Sequence, residues 1–252
     1  MHDADIVAEF TQQAETFNDS ATARSEEMLE RLIALAQPGA DERWLEAACG
    51  PGIISRRLAP LVGEIVGVDM TPAMIEVARR DTERAGIASA TFALGDATEL
   101  DFPDSSFDGA ISRFSIHHIP APGRLFEQLA RVVAPGGRVV LADHLADRDP
   151  DALTWAQELE RLRDPSHWLC LTAERLRELG ERAGLTLEQE QVVPLELDFD
   201  DWLERGSGGP ASANLIERQL GERPPAAECF AVSPRGGARV LELRLWLSAW
   251  RR

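Results

Sequence analysis

The stretch Trp44-Leu45-Glu46-Ala47-Ala48-Cys49-Gly50-Pro51-Gly52 runs from an apolar segment into an acidic residue and then a Gly-Pro-Gly turn. The apolar part reads as a buried strand. The residues beyond the turn, Ile53 to Leu61, read as a helix. Gly50 and Gly52 leave no side chain between the backbone and a ligand, and the following helix aims its free N-terminal N–H groups into the same space. That is the build of a loop that cradles a nucleotide cofactor. A second apolar segment, Glu64 to Val68, ends in Asp69, 19 residues after Gly50. A doubly wound fold places a carboxylate there, on the ribose hydroxyls.

The glycine spacing separates two cofactor classes. A dinucleotide fingerprint calls for glycines at 48, 50 and 53, where this chain has Ala48, Gly50 and Ile53. Glu46, Gly50 and Gly52 instead resemble the Glu/Asp-x-Gly-x-Gly-x-Gly loop of class I S-adenosylmethionine (SAM) methyltransferases, with Ala48 in place of the first glycine. An alanine methyl at that turn is a departure that bears on the local backbone.

The resemblance continues in register. Met70 follows Asp69, and Thr71-Pro72 suits the N-cap and first position of a helix carrying Met74, Val77 and Ala78 on its apolar side. Gly95-Asp96-Ala97 follows a third strand (Ala90 to Leu94), and Phe107-Asp108 precedes a fourth (Gly109 to Arg113). A helix (Leu125 to Ala134) and Pro135-Gly136-Gly137-Arg138 then lead into a fifth, Val139 to Asp143. Across roughly residues 40 to 195 the order is similar to that of the SAM methyltransferases of ubiquinone and menaquinone biosynthesis and related small-molecule enzymes.

The resemblance implies an α/β fold: a doubly wound, Rossmann-like, seven-stranded sheet with the last strand antiparallel between the fifth and sixth. It implies one domain, with an N-terminal helical lid (1–38), a cofactor-binding core (40–195), a substrate-side insertion (199–234) and a final strand (239–250). Residues 4 to 17 and 22 to 36 read as the lid helices, and 151 to 163 and 172 to 183 as later ones. Leu185 to Leu195 reads as the sixth strand. The alternation of Leu241, Leu243, Leu245 and Leu247 with polar residues and Trp246 reads as the last.

Composition restricts the partners. The formal net charge is −17, all 26 basic residues are arginine, and no basic stripe offsets the acid, so a phosphate backbone is repelled and nucleic acid is not expected as substrate. The absence of lysine excludes a Schiff-base enzyme and a Walker lysine. Cys49, Cys170 and Cys229 are an odd number and widely spaced, which argues against a disulfide framework or zinc site and suits a reducing cytoplasm. No apolar run is long enough to cross a bilayer, and no signal-peptide pattern is present, so no membrane partner is expected. No metal site is expected either, since no Asp/Glu/His set shows ligand spacing; the sequence does not speak to oligomeric state.

Site residues follow from the family positions. Asp69 is expected on both ribose hydroxyls, Met70 on the adenine face, Asp96 and the Ala97 backbone on the adenine edge, and Glu46 on the methionine ammonium. Phe10 and Phe17 resemble the family's aromatics on a covering helix. Ligands sit outside the carboxyl ends of the strands in open α/β sheets, which gathers Arg113, His117, His118 and His144 at the expected pocket. His118, then His117, is the expected base, with Arg113 on an anionic part of the substrate or the methionine carboxylate. Being adjacent, the two histidines are expected to point different ways, with one reaching the pocket. His144 and His167 are the expected substrate contacts. The implied reaction is methyl transfer from SAM to O, N or an activated C of a small molecule, in secondary metabolism or quinone-like chemistry. A SAM-binding relative catalysing a cyclisation, and a non-catalytic SAM-binding subunit, share the same motifs.

Overall fold

A computed structural model of the chain describes residues 2–20 and 22–252. Its strands are β1 (Arg43–Ala47), β2 (Glu64–Asp69), β3 (Ala90–Leu94), β4 (Phe107–Arg113), β5 (Val133–His144), β6 (Thr186–Asp198), β7 (Phe230–Arg235) and β8 (Ala238–Arg251). They pair in the order β3-β2-β1-β4-β5-β8-β6, with β1 to β5 parallel and β8 antiparallel to both β5 and β6. The reversal of order between β1 and β4 is the topological switch point, and it opens the crevice at the carboxyl ends of those strands.

Side chains alternate across the strands into two apolar layers. Trp44, Ile111, Val140 and Leu247 pack on one face with Leu32 and Ile54, from α2 (Glu26–Ala36) and α3 (Ile53–Leu58). Leu45, Ala110, Leu141 and Trp246 pack on the other with Phe126 and Leu179, from α5 (Pro122–Val132) and α7 (Ala173–Arg182). Near-continuous apolar strands are what burial of both faces requires. The sheet is closed on its ligand side by α1 (His2–Asn18), which packs on α4 (Pro72–Arg84), and by α6 (Pro150–Arg163), α8 (Phe199–Glu204) and α9 (Gly209–Leu220). None of the described helices is long and apolar enough to cross a membrane.

Several boundaries differ from the sequence reading, among them α5, which runs Pro122–Val132 and not Leu125 to Ala134, and β6, which runs on to Asp198. The sheet has an eighth strand: β7, in the expected insertion, forms a hairpin with β8 through Gly236-Gly237, whose φ values of 63° and 90° suit a two-residue turn. β8 is long enough to pair with β5 through residues 245–251 and with β7 through 238–243. Helix α2 begins at Glu26 and not at 22, because the Ser25 side chain accepts from Met28 N and caps the helix there. β5 reaches back to Val133, so Pro135-Gly136-Gly137 lies within the strand's irregular start, where the pairing of β4 with β5 shifts register.

Candidate active site

The loop after β1 turns through Ala48 (φ 53°), Gly50 (φ 50°) and Gly52 (φ 74°). The alanine in place of the family's first glycine therefore holds a left-handed conformation that costs an L-residue about 1–2 kcal/mol. Asp69, at the end of β2, fixes the loop: Gly50 N donates to its Oδ2 at 2.8 Å and Thr71 N to its Oδ1 at 2.8 Å. Each oxygen keeps a lone pair for a ligand, the arrangement a vicinal diol needs. Burial raises the Asp69 pKa, and the two backbone N–H groups oppose that shift.

The two glycines do different work. A Cβ on Gly50 would have only Met74 Sδ, at 3.9 Å, nearby, and Gly50 lines the cleft. A Cβ on Gly52 would meet the Phe92 ring at 2.7 Å and Ala78 Cβ at 3.1 Å, and Gly52 does not line the cleft. In the structure it allows close packing of α3 against β3 and α4.

Around this loop lies a cleft of about 810 Å³, counted with its open mouth. Glu46, Ala48, Gly50, Asp69, Met70, Asp96, Ala97, Arg113 and Phe17 all line it, joined by Ile6 and Phe10 of α1. Asp96 Oδ1 accepts from Thr98 N and Oγ1, which fixes the carboxylate. Glu46 is 3% exposed and its Oε2 accepts from both Ser55 N and Ser55 Oγ. Burial pushes its pKa up to about 7 against those bonds and the Arg113 charge. Arg113 donates from Nη2 to Ala23 O at 2.9 Å, while its buried Nη1 has no partner among the described residues. Burial lowers its pKa to about 10, so it stays charged at neutral pH. A buried guanidinium N–H without a partner leaves a strong donor waiting for an anion. The donor set therefore fits SAM, with a diol acceptor at Asp69, a carboxylate donor at Arg113 and a buried acid at Glu46.

A second cleft of about 660 Å³ adjoins the first. Phe10, Phe17, Phe114 and His118 line both and form the shared wall. Phe114, at φ 55°, holds a backbone conformation that bulky residues rarely adopt. Its N–H donates to Ala142 O at 2.9 Å, its ring lies 4.9 Å from the Arg113 guanidinium, and strain of this kind concentrates at functional sites.

His117, His118, His144 and His167 all line this second cleft. Both adjacent histidines thus reach a pocket, contrary to the expectation that one would, because the 3-10 turn Ile116–His118 turns both rings inward, their centroids 4.2 Å apart. His118 alone of the two also borders the first cleft. His118 Nδ1 lies 3.1 Å from Ser166 O and Oγ, and burial plus the nearby His117 push its pKa down to about 3. His144 is lowered to about 3 by the same two causes, and its buried Nδ1 has no partner among the described residues. His167 Nε2 meets Gln157 Oε1 at 2.6 Å, and burial holds this ring neutral as well.

His117 differs. Its Nδ1 bonds Asp143 Oδ1, and although burial pushes the ring's pKa down, the Asp143 charge and hydrogen bond outweigh it and the net shift is upward. Asp143 is itself held low by His117 despite its burial. Its Oδ2 accepts from Ser115 N at 3.0 Å and Ile116 N at 2.6 Å, and its Oδ1 also from His144 N at 2.7 Å. From sequence Asp143 reads only as a strand end. Phe114, Glu160, Arg163 and Trp202, which carry no motif, also line the second cleft, from the end of β4, α6 and α8.

His117, Asp143 and His144 offer ligand atoms within 4.8 Å of one another, a grouping that chain spacing hides. Four N–H groups already occupy the Asp143 oxygens. The His117 and His144 rings lie nearly parallel, their centroids 4.9 Å apart at 10°. Within this group His117 and Asp143 form a hydrogen-bonded acid–histidine pair.

Comparison with known proteins gives the family of the chain. A methyltransferase-domain family model matches residues 45–141. The chain is 33% identical over 202 residues to the uncharacterized methyltransferase YcgJ of Bacillus subtilis, covering 80% of this chain and 79% of that protein. The YcgJ crystal structure superposes with a TM-score of 0.82 at 28% identity, over 90% of this chain and 98% of that one. A putative methyltransferase of Bacillus halodurans gives a TM-score of 0.83 at 25% identity, over 89% and 98%. A demethylmenaquinone methyltransferase of Clavibacter sepedonicus is 38% identical over 106 residues, 42% of each chain. The matched segment carries the β1 loop, Asp69, Asp96 and the histidine turn, and the chain belongs to the class I SAM-dependent methyltransferases.

Proposed function

We propose that the enzyme methylates a small-molecule acceptor held in the second cleft, with the methyl crossing the wall formed by Phe10, Phe17, Phe114 and His118. The observation that carries this reading is the pair of adjoining clefts: one bears the diol, carboxylate and ammonium partners of SAM, and the other is lined by aromatic rings and histidines. SAM supplies an electrophilic methyl on a sulfonium. The protein's part is mainly alignment and exclusion of water. Asp69 and Arg113 hold the two ends of the cofactor, Asp96 and Ala97 its base, and Met70 and Phe17 its apolar faces. The second cleft is lined by residues of α1, α6 and α8, and the charge of −17 opposes nucleic acid, which supports a small acceptor. His144 and His167 face the acceptor, and His117 or His118 takes its proton where one must leave.

Incubation with methyl-labelled SAM tests this against a panel of phenols, amines and carbon acids, with tRNA and casein as macromolecular controls. The label is expected in a small product, and its loss on His117→Ala or His118→Ala at unchanged SAM affinity is expected to reach about 10²-fold or more for the residue acting as base. Label in the tRNA or casein fraction alone would contradict the reading.

A further inference from the structure

Among the four histidines around the second cleft, one is held in a different way from the rest. An ionised carboxylate can only accept, so the proton of the His117–Asp143 bond lies on His117 Nδ1 and the lone pair of the neutral ring on Nε2. Among the described residues Nε2 bonds to nothing, nor is it a sealed orphan, and the ring lines the cleft, so Nε2 opens to the acceptor. Asp143 cannot swing away, because backbone N–H groups of Ser115, Ile116 and His144 grip both its oxygens. This is the orienting relation in which a buried carboxylate sets a histidine's tautomer and stabilises the imidazolium that forms.

The other groups facing His117 reinforce it. His144 stacks on one side, and His118 and His167 stand 4.2 and 5.5 Å away, ring to ring. All three are held neutral by burial. From α6 and the loop after it come Glu160 and Asp164, whose negative charges favour a cation on His117, with Arg163 beside them. Glu160 is 7% exposed and lines the cleft, and its carboxylate makes no hydrogen bond or ion pair among the described residues, which leaves it a second acceptor for the bound molecule. Phe17, Phe114 and Trp202 add flat apolar walls.

Resting on the methyltransferase reading above, we infer that the acceptor is a phenol or enol, that His117 Nε2 removes its hydroxyl proton, and that Asp143 is the positioning residue for that base. As the O–H bond breaks toward Nε2, the oxygen lone pair forms the O–CH3 bond. The S–CH3 bond breaks with its electron pair returning to sulfur, leaving neutral S-adenosylhomocysteine (SAH), the methyl ether and an imidazolium paired with Asp143. A tertiary amine or thioether has no proton to lose and leaves this pair without a task. His117 thus takes the place expected of His118, which borders both clefts but is a much weaker base.

4-Nitrophenol, whose phenolate absorbs in the visible, tests this in the SAH-bound protein. At a pH where the free probe is mostly neutral, the bound probe is expected to show an enhanced phenolate band. Asp143→Asn is expected to lower that phenolate-to-phenol ratio by roughly tenfold or more, because the carboxylate that favours the imidazolium is gone. His117→Gln is expected to abolish the enhancement with Asp143 left in place. SAH affinity by calorimetry, expected within about threefold of wild type, shows that each variant is folded; should Asp143→Asn fail that check, His117→Gln alone decides the outcome. No saturable binding of the probe to the wild type, binding only as the neutral phenol, or the same band in wild type and His117→Gln would overturn the inference. Failure of the methyltransferase reading itself would show separately, as absence of SAH binding to the wild type.

Discussion

Replacing Gly50 and Gly52 by alanine, one at a time, separates what the loop does for the cofactor from what it does for the fold. At Gly52 the new Cβ meets Phe92 Cε1 at 2.7 Å and Ala78 Cβ at 3.1 Å, on a backbone at φ 74°. The left-handed conformation costs about 1–2 kcal/mol and overpacking of the core about 1–3 kcal/mol, against a gain of about 0.4–1 kcal/mol from the stiffer unfolded chain. The net loss is about 2–4 kcal/mol, which for a chain of this size lowers Tm by roughly 4–16 °C. At Gly50 the conformational cost is similar at φ 50°, but the nearest atom is Met74 Sδ at 3.9 Å, so the net loss is about 1 kcal/mol and Tm falls by roughly 2–4 °C. That methyl, however, projects into the cofactor cleft and is expected to weaken SAH binding about tenfold or more, equivalent to about 1.4 kcal/mol. Thermal denaturation and calorimetric titration with SAH on both variants read the two quantities. A Gly52→Ala protein no less stable than Gly50→Ala, or a Gly50→Ala protein that binds SAH as the wild type does, would refute the division of labour.

The same loop predicts that Ala48→Gly relieves the strain at φ 53° and leaves stability unchanged or raised by up to about 1 kcal/mol, visible as a Tm no lower than wild type. Asp69→Ala removes a charged acceptor worth roughly 1.5–3 kcal/mol and is expected to weaken SAH at least about tenfold by calorimetry; unchanged affinity in a folded variant would remove the ribose assignment. Arg113→Met is expected to weaken SAH by a similar factor but to leave 5′-methylthioadenosine, which lacks the amino-acid carboxylate, unaffected; equal losses for both would place the arginine elsewhere. His118 and His144 have folded pKa values of about 3 against about 6.5 unfolded, so the unfolded chain binds more protons between those values and stability falls as pH drops through that window. His118→Asn is therefore expected to flatten the fall of Tm between pH 6.5 and 4, and an unaltered slope would mean that the ring is solvated.

Much of this was legible because the cofactor half of the site is written in backbone. Glu46, Gly50, Asp69 and Asp96 each sit at a strand end or turn whose spacing the fold dictates, and each lines the cofactor cleft. Gly52 was legible as a glycine but not in its purpose, because its neighbour Phe92 lies 40 residues on in sequence and only the packing of β3 brings the ring near. The acceptor half was less legible. Asp143 and His117 are 26 residues apart and meet because β4 and β5 are adjacent and the turn after β4 folds back over the end of β5. Glu160, Arg163 and Trp202 lie on helices beyond the family motifs, where amphipathic spacing gives a helix but not which residue faces a cleft. The β7–β8 hairpin had a readable signal in Gly236-Gly237 between two apolar alternations, obscured by the Gly/Pro breaks before it.

The lid expected from the sequence would rest on α1 and its ties. Helix α1 supplies Ile6, Phe10 and Phe17 to the cofactor cleft and is tied at its far end by Glu15 to Arg80 and by Asn18 to Asp81 and Arg56. Its first half is tied by Glu9 to Ser207 and by His2 to the His118 carbonyl. If α1 acts as a lid over the bound cofactor, amide exchange in residues 2–18 is expected to slow when SAH binds. Protection that does not rise would remove α1 as a lid.

Passage of the methyl from one cleft to the other is tested most directly by a crystal structure with SAH bound. The ribose hydroxyls are expected on Asp69, the carboxylate on Arg113 Nη1, and the sulfur facing the shared wall of Phe10, Phe17, Phe114 and His118, with the second cleft open beyond it. A sulfur directed away from that wall, so that no line runs from it into the histidine-lined cleft, would contradict the claim that the methyl passes between the two.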